Sequence, residues 1–247
     1  MKSFKYIIFS FLVSAASAEQ KVIVLDPGHE SWTQSSWVKS GEAQANLKFA
    51  KSLEEIIKKE GKYEVISTLD ERGYNPLLKR FEKKFRKRIH TIRRAYENRH
   101  HPAEGYYQML HVRSLFFHHR FNYSPADVFV SIHHNEPGDG RDYHGFCIYY
   151  TYHGKAAQEA KELAVVLRDA LVSNGYGTST NGGEKNGYTV RDFAVLHHAT
   201  ETVAAVLMEL GYISNKEDKE AAYTDTSVGK KASIVYKVLD DFLSRRK

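Results

Sequence analysis

The stretch VFVSIHHN, from Val128 to Asn135, decides the fold, because it is a short apolar run that ends in imidazole and amide side chains. Two other stretches share this design: VIVLDPGH at residues 22–29 and VAAVLMELGY at residues 203–212. Apolar runs of this length are typical of strands buried on both faces of a parallel sheet. Such strands deliver the residues that follow them to one edge of the sheet. We therefore predict that this edge is the active site.

The segments between these strands predict an α/β fold. Apolar residues recur at helical spacing from Glu42 to Lys59, and Gly61 ends the pattern. Residues 63–68 predict a second strand, and a strand, a helix and a strand in this order favour parallel pairing. Further helices are predicted at 106–121, 155–173 and 228–243, with a strand at 145–152. We expect a single domain with three layers, in which helices flank a twisted, mostly parallel mixed sheet.

Residues 1–18 predict a signal peptide, with Lys2 and Lys5 before an apolar stretch that ends at Ala16-Ser17-Ala18. Cleavage is expected after Ala18, which leaves residues 19–247 as one domain; the alternative is an uncleaved N-terminal anchor. Loss of the two lysines lowers the formal charge of +6 by two, to +4. Cys147 is the only cysteine, so no intramolecular disulfide can form. Its apolar surroundings predict a buried side chain rather than a nucleophile.

Four residues near the predicted edge are candidates for catalysis. Two imidazoles and a carboxylate form a typical catalytic zinc set with an open fourth position, and His29, His133 and Glu42 supply these groups. Glu42 follows His29 by 13 residues, which is long enough for the chain to fold back. Glu209 ends the third apolar run and is a candidate general base, with a pKa raised by burial. The alternatives are structural histidines, an acid that favours a helix N-terminus, and a salt-bridged strand-end carboxylate.

Five motifs of the chain resemble one known family. They are LDPGH at residues 25–29, EAQANL at 42–47, ADVFVSIHHN at 126–135, VRDFAVL at 190–196 and MELGYISN at 208–215. In these motifs the chain resembles the zinc-dependent N-acetylmuramoyl-L-alanine amidases, the amidase-3 family of peptidoglycan hydrolases. The motifs occur in the order of the family and span almost all of residues 19–247.

The resemblance implies a catalytic amidase domain with one zinc ion. By position, it implies zinc on His29, Glu42 and His133, with Glu209 as the catalytic acid/base. It also implies hydrolysis of the amide bond between N-acetylmuramic acid and L-alanine in peptidoglycan. The signal-peptide pattern predicts export, to the periplasm, the cell wall or the extracellular space. Strand alternation places His134 on the opposite face from His133, so both are not expected to bind the same zinc.

The chain also departs from the family pattern. Glu30 stands where the family usually has a glycine, His197 and His198 stand where it often has a basic residue, and the basic segment at about 75–113 is longer than the usual connection. Two other functions fit the same residues: a zinc peptidase or deacetylase, and a catalytically inactive cell-wall-binding protein.

The basic segment contains a predicted amphipathic helix from Leu77 to Tyr96 with nine Lys and Arg residues around an apolar stripe. The simplest hypothesis is a solvated surface helix. The alternatives are docking on an anionic cell-wall polymer or a phospholipid membrane, and a lid over the zinc site. A regulatory protein is a further candidate partner, whereas nucleic acid is not expected because the export signal argues against it.

Overall fold

Alternating strands and helices build the chain, as the sequence predicts. The computed structural model describes residues 20–29, 41–70, 72–97, 126–136 and 141–246. The strands are β1 (Val22–Pro27), β2 (Glu64–Ser67), β3 (Leu69–Asp70), β4 (Gly73–Tyr74), β5 (Val128–Asn135), β6 (Cys147–Tyr150), β7 (Tyr188–Val190) and β8 (Ala204–Tyr212). The helices are α1 (Glu42–Glu60), α2 (Pro76–Glu97), α3 (Ala157–Ser173), α4 (Ala194–Ala199), α5 (Lys216–Tyr223) and α6 (Asp225–Ser244).

The three apolar runs of the sequence form adjacent strands in the middle of a six-stranded sheet. The strand order is β2-β1-β5-β8-β6-β7. Strands β2, β1, β5 and β8 pair in parallel, β6 runs antiparallel to β8, and β7 is parallel to β6. The predicted mixed, mostly parallel sheet is therefore confirmed.

Helices cover both faces of this sheet. On the first face, Ile23, Leu25 and Val130 pack in one buried cluster with apolar residues of α1, α3 and α6. On the second face, Val24 and Phe129 pack with apolar residues of α2 and α4. Neighbouring residues of one strand thus enter opposite clusters, as the two-residue period of a strand requires. The predicted three-layer α/β architecture is confirmed.

The end of β8 differs from the sequence-based expectation. Strand β8 continues to Tyr212, so Glu209 lies inside the strand rather than at its end. Glu209 has strand partners on both sides, His133 of β5 and Cys147 of β6, and the strand continues beyond it because Tyr212 pairs with Asn135 of β5. The predicted helix at 106–121 and the predicted signal peptide at 1–18 lie outside the described residues. Within the described part of the chain, no helix is long and apolar enough to span a membrane.

Candidate active site

His29, Glu42 and His133 come together at the edge of the sheet where β1 and β5 end. Oε1 of Glu42 lies 3.0 Å from Nε2 of His29 and 3.2 Å from Nδ1 of His133. The two imidazole rings meet edge to face, with their centroids 4.9 Å apart. One potential ligand atom from each residue lies within 4.8 Å of the other two. Residues separated by up to 104 positions, His29 and His133, thus form one compact cluster of nitrogen and oxygen donors with Glu42.

The turn after β1 brings the backbone against the ring of His133. The Gly28 N–H donates a hydrogen bond of 2.7 Å to the carbonyl of Ile132. A Cβ atom at Gly28 would lie 2.2 Å from Cε1 of His133, so only glycine allows this approach. His29 follows with a φ of 60°, a left-handed conformation that is uncommon for a residue with a side chain. Gly28 therefore leaves room for the imidazole of His133, and the next residue supplies the imidazole of His29.

A glycine also positions Glu42 at the first turn of α1. Gly41 has a φ of 93°, and its carbonyl accepts a hydrogen bond of 2.5 Å from the Tyr223 hydroxyl. A Cβ atom at Gly41 would lie 2.4 Å from that hydroxyl. The Glu42 side chain is buried, and the positive end of the helix dipole favours its carboxylate. Glu42 therefore lies beside His29, as expected from the sequence.

Asn46 connects three parts of the site from the next turn of α1. Its Nδ2 donates to the carbonyl of Gly28 over 3.0 Å and lies 3.4 Å from Oε1 of Glu42. Its Oδ1 accepts a hydrogen bond of 2.9 Å from Nδ1 of His134. His134 thus points to the α1 side of the sheet, as strand alternation predicts, and is not part of the donor cluster.

The protonation states of the cluster suit a metal ion. Burial raises the pKa of Glu42, but hydrogen bonds from His133 and His29 outweigh it and lower the pKa to about 2. Burial lowers the pKa of His133, although its hydrogen bond with Glu42 opposes this. Nε2 of His133 is buried and has no hydrogen-bond partner among the described residues. A carboxylate at Glu42 and a neutral imidazole at His133 with an unpaired buried nitrogen fit the requirements of zinc, which binds deprotonated ligands.

Glu209 lies beside His133, its partner in the adjacent strand. The residue is half-buried, and its Oε2 is buried without a hydrogen-bond partner among the described residues. Burial raises the pKa of Glu209 well above its usual value, the negative charges of Glu42 and Glu184 raise it further, and Arg191 opposes them. A carboxyl group in this environment can hold and exchange a proton.

Glu184 is a buried carboxylate whose charge acts on Glu209, and it was not among the site residues predicted from the sequence. It accepts hydrogen bonds from the hydroxyls of Tyr149 (2.5 Å), Ser179 (2.8 Å) and Tyr212 (2.8 Å). Nδ2 of Asn181 lies 3.3 Å from its Oε1. Glu184 follows two glycines in a polar loop without periodicity, so no sequence signal marks it. By contrast, Gly28 and Asn46 lie inside family-like motifs but received no role from the sequence.

Fold and site together define an α/β protein with a candidate metal centre at the edge of its parallel strands. The family model described as N-acetylmuramoyl-L-alanine amidase matches residues 23–240. The chain therefore belongs to this family, which confirms the resemblance of its motifs. No curated protein matches the chain significantly.

Solved structures share this fold over nearly the whole chain. An N-acetylmuramoyl-L-alanine amidase from Clostridium difficile 630 is 20% identical with a TM-score of 0.62, covering 93% of this chain and 100% of its own. The CwlD amidase from Clostridioides difficile, in complex with the GerS lipoprotein, is 25% identical with a TM-score of 0.61, covering 91% and 98%. The apo form of the amidase Ami1 from Mycobacterium abscessus is 22% identical with a TM-score of 0.61, covering 90% and 98%.

Of the departures from the family pattern, the structure describes the first part of the basic segment, as α2, whereas Glu30 and the side chains of His197 and His198 lie outside the described part of the chain.

Proposed function

We propose that the protein is a zinc-dependent hydrolase that cleaves the amide bond between the lactyl group of N-acetylmuramic acid and L-alanine in peptidoglycan. Family membership supports the reaction. The observation that carries the proposal is the convergence of His29, Glu42 and His133 next to Glu209. Two imidazoles and one carboxylate are a recurrent ligand set of catalytic zinc.

In this proposal His29, Glu42 and His133 hold the zinc ion. When bound, zinc polarises the scissile carbonyl and makes a water-derived nucleophile available near neutral pH. Asn46 holds the Glu42 carboxylate and the Gly28 carbonyl, which keeps the ligands in register. Such supporting hydrogen bonds orient metal ligands and tune their affinity.

Glu209 is the proposed proton shuttle. Its carboxyl group takes a proton from the attacking water and transfers it to the leaving nitrogen as the carbon–nitrogen bond breaks. The raised pKa of Glu209 supports this role, because a carboxyl group with an ordinary pKa would rarely carry a proton near neutral pH. The products are a free carboxylate on the lactyl group and a free amine on L-alanine, so the reaction consumes one water.

Incubation of the protein with purified sacculi, with and without a chelator, tests the proposal. We expect metal-dependent release of stem peptides that carry a new N-terminal L-alanine. Release of peptides with other new termini would instead indicate a zinc peptidase, and loss of acetyl groups would indicate a deacetylase. Binding without any release would support a catalytically inactive wall-binding protein.

Localisation and a protein partner are further parts of the proposal. We infer export to the periplasm, cell wall or extracellular space from the pattern of residues 1–18 and from the location of peptidoglycan. A regulatory protein partner is supported by the CwlD amidase, whose structure contains the GerS lipoprotein. Fractionation of cells that produce the tagged protein tests the location, and crosslinking of that protein in the envelope tests the partner.

A further inference from the structure

Helix α2 presents a concentrated positive charge to solvent. Between residues 79 and 88, every exposed residue is a lysine or an arginine, seven in all. We call these seven residues the basic face. Lys79, Lys83, Arg86 and Lys87 are spaced four, three and one positions apart, so they form one stripe along the helix.

This helix accounts for the positive charge of the whole chain. Residues 76–97 contain nine of the 36 Lys and Arg residues and two of the 30 Asp and Glu residues, a formal charge of +7. The other 225 residues hold 27 cations against 28 acids, a formal charge of −1. A general basic composition would distribute the charge over the surface, whereas here an anionic partner would be attracted to one helix.

Packing fixes the orientation of the basic face. The apolar side chains of Leu78, Phe81 and Ile89 are buried in the cluster on the second face of the sheet. At the start of the helix, Oδ1 of Asn75 accepts a hydrogen bond of 2.7 Å from the N–H of Leu77, a typical N-cap. Because Leu78, Phe81 and Ile89 are covered by protein, the outer face of this part of the helix offers charge rather than a hydrophobic surface to a partner. Insertion into a bilayer, which needs an exposed apolar face, is therefore disfavoured.

The helix that carries the basic face begins at the same edge of the sheet as the candidate active site. The N–H of Asn75 donates to the carbonyl of Thr68 over 2.9 Å. The Thr68 hydroxyl donates to Oδ1 of the buried Asp26 over 2.6 Å, and Asp26 precedes His29 by three residues. The first turn of α2 thus lies at the sheet edge that holds the donor cluster. A polymer bound at that edge can extend along the helix.

We propose that the basic face binds the carboxylates of peptidoglycan stem peptides and holds the polymer beside the active site. This inference rests on the proposed function. It requires that several stem peptides of the bound peptidoglycan carry free carboxylates. The face matches such a polymer because its cations are spread along the helix, so that successive stems can each meet a lysine or arginine. Each contact is weak alone, since exposed ion pairs contribute little, and several together give useful affinity.

Cosedimentation with purified sacculi tests this proposal. The test variant carries Lys79→Gln, Lys83→Gln, Arg86→Gln and Lys87→Gln, which keep good helix formers. The matched control loses the same charge at exposed lysines elsewhere: Lys59→Gln, Lys216→Gln, Lys230→Gln and Lys237→Gln. Both carry Glu209→Gln, so that the sacculi stay intact, and circular dichroism checks that both are folded.

We expect the test variant to bind at least about tenfold more weakly than the parent, since each exposed ion pair is worth a factor of about two. The control should change by less than about twofold at the same ionic strength. A variant with Lys79→Arg, Lys83→Arg, Arg86→Lys and Lys87→Arg keeps the charge and should preserve binding. Sacculi whose carboxylates are converted to amides should bind the parent as weakly as native sacculi bind the test variant.

Four results would overturn the proposal. The parent does not bind sacculi, the control loses as much binding as the test variant, or the parent binds amidated sacculi fully. In the fourth, the test variant loses binding to phosphatidylglycerol vesicles but keeps binding to sacculi. The last would assign the face to a membrane. Hydrolysis of a short soluble muramyl peptide, measured with Glu209 intact, should be the same for both variants and the parent. If the parent does not hydrolyse it, the proposed function fails, while the sedimentation result stands separately.

Discussion

Substitution of Gly28 by alanine should remove metal binding without unfolding the protein. Gly28 does not have a positive φ, so its backbone conformation accepts alanine. The new Cβ atom, however, would lie 2.2 Å from Cε1, 2.3 Å from Nε2 and 2.5 Å from Nδ1 of His133. Ordinary contacts begin at 3.4 Å, so the ring has to move by more than about 1 Å. Zinc–ligand distances tolerate only about 0.2 Å.

The expected loss follows from this displacement. Disturbing a residue that merely supports a ligand lowers metal affinity about 10-fold to 100-fold, and Gly28→Ala displaces a proposed ligand itself. We therefore expect zinc affinity to fall by at least about 100-fold, with a parallel loss of turnover at limiting zinc. Overpacking of this kind costs about 1–3 kcal/mol, less than the stability of a typical domain, so the variant should fold.

Competition with a chromophoric chelator measures zinc affinity, and urea denaturation measures the free energy of unfolding. Gly229→Ala is the matched control, because a Cβ atom there meets nothing within 4 Å. This control should bind zinc normally and be as stable as the parent or more so, since Gly229 lies in helix α6. Unchanged zinc affinity in folded Gly28→Ala would refute the assignment of His133 as a ligand positioned against Gly28.

Four further substitutions test the remaining site residues. Glu209→Gln should keep zinc affinity and lower turnover at least about 100-fold, whereas His29→Ala should lose both; normal turnover in either variant, measured on sacculi, would contradict its role. Asn46→Ala should lower the free energy of unfolding by about 1–3 kcal/mol, because it leaves His134 without its partner. It should also weaken zinc binding about tenfold or more, because Asn46 supports Glu42 and the Gly28 carbonyl. A zinc titration and a denaturation curve like those of the parent would argue against this role. The metal-free protein should lose about 3 kcal/mol of stability as pH falls from about 4.5 to 2, because the folded-state pKa of Glu42 is lowered to about 2 and the unfolded chain takes up the proton first. Glu42→Gln should make the denaturation midpoint less dependent on pH over that range. The same pH dependence in Glu42→Gln and in the parent would refute this prediction.

Much of the fold follows from local patterns in the sequence. The apolar runs at β1, β5 and β8 are too continuous for a half-exposed strand, so they predict the buried middle of a parallel sheet. Helix α1 was predicted to within one residue, because its apolar spacing and Gly61 depend only on near neighbours. The short hairpin of β3 and β4 was not predicted, since two-residue strands carry no periodicity.

The candidate site was only partly predictable for the same reason. His29, Glu42, His133 and Glu209 could be named because each follows or belongs to an apolar run or a helix start, and the resemblance assigned them roles. Glu184 could not be named, because its position depends on hydrogen bonds from hydroxyls of other elements, such as Tyr149 and Tyr212.

The sequence by itself determined which residues form strands and helices, and which motifs relate the chain to its family, because these depend on composition and short-range spacing. Only the tertiary structure decided that Glu209 lies within β8, since a strand ends where its partners end. It also decided that Gly28 supports His133, and that Asn46 joins Glu42 to His134. These contacts join residues that are mostly distant along the chain, and their distances depend on how the sheet and α1 pack.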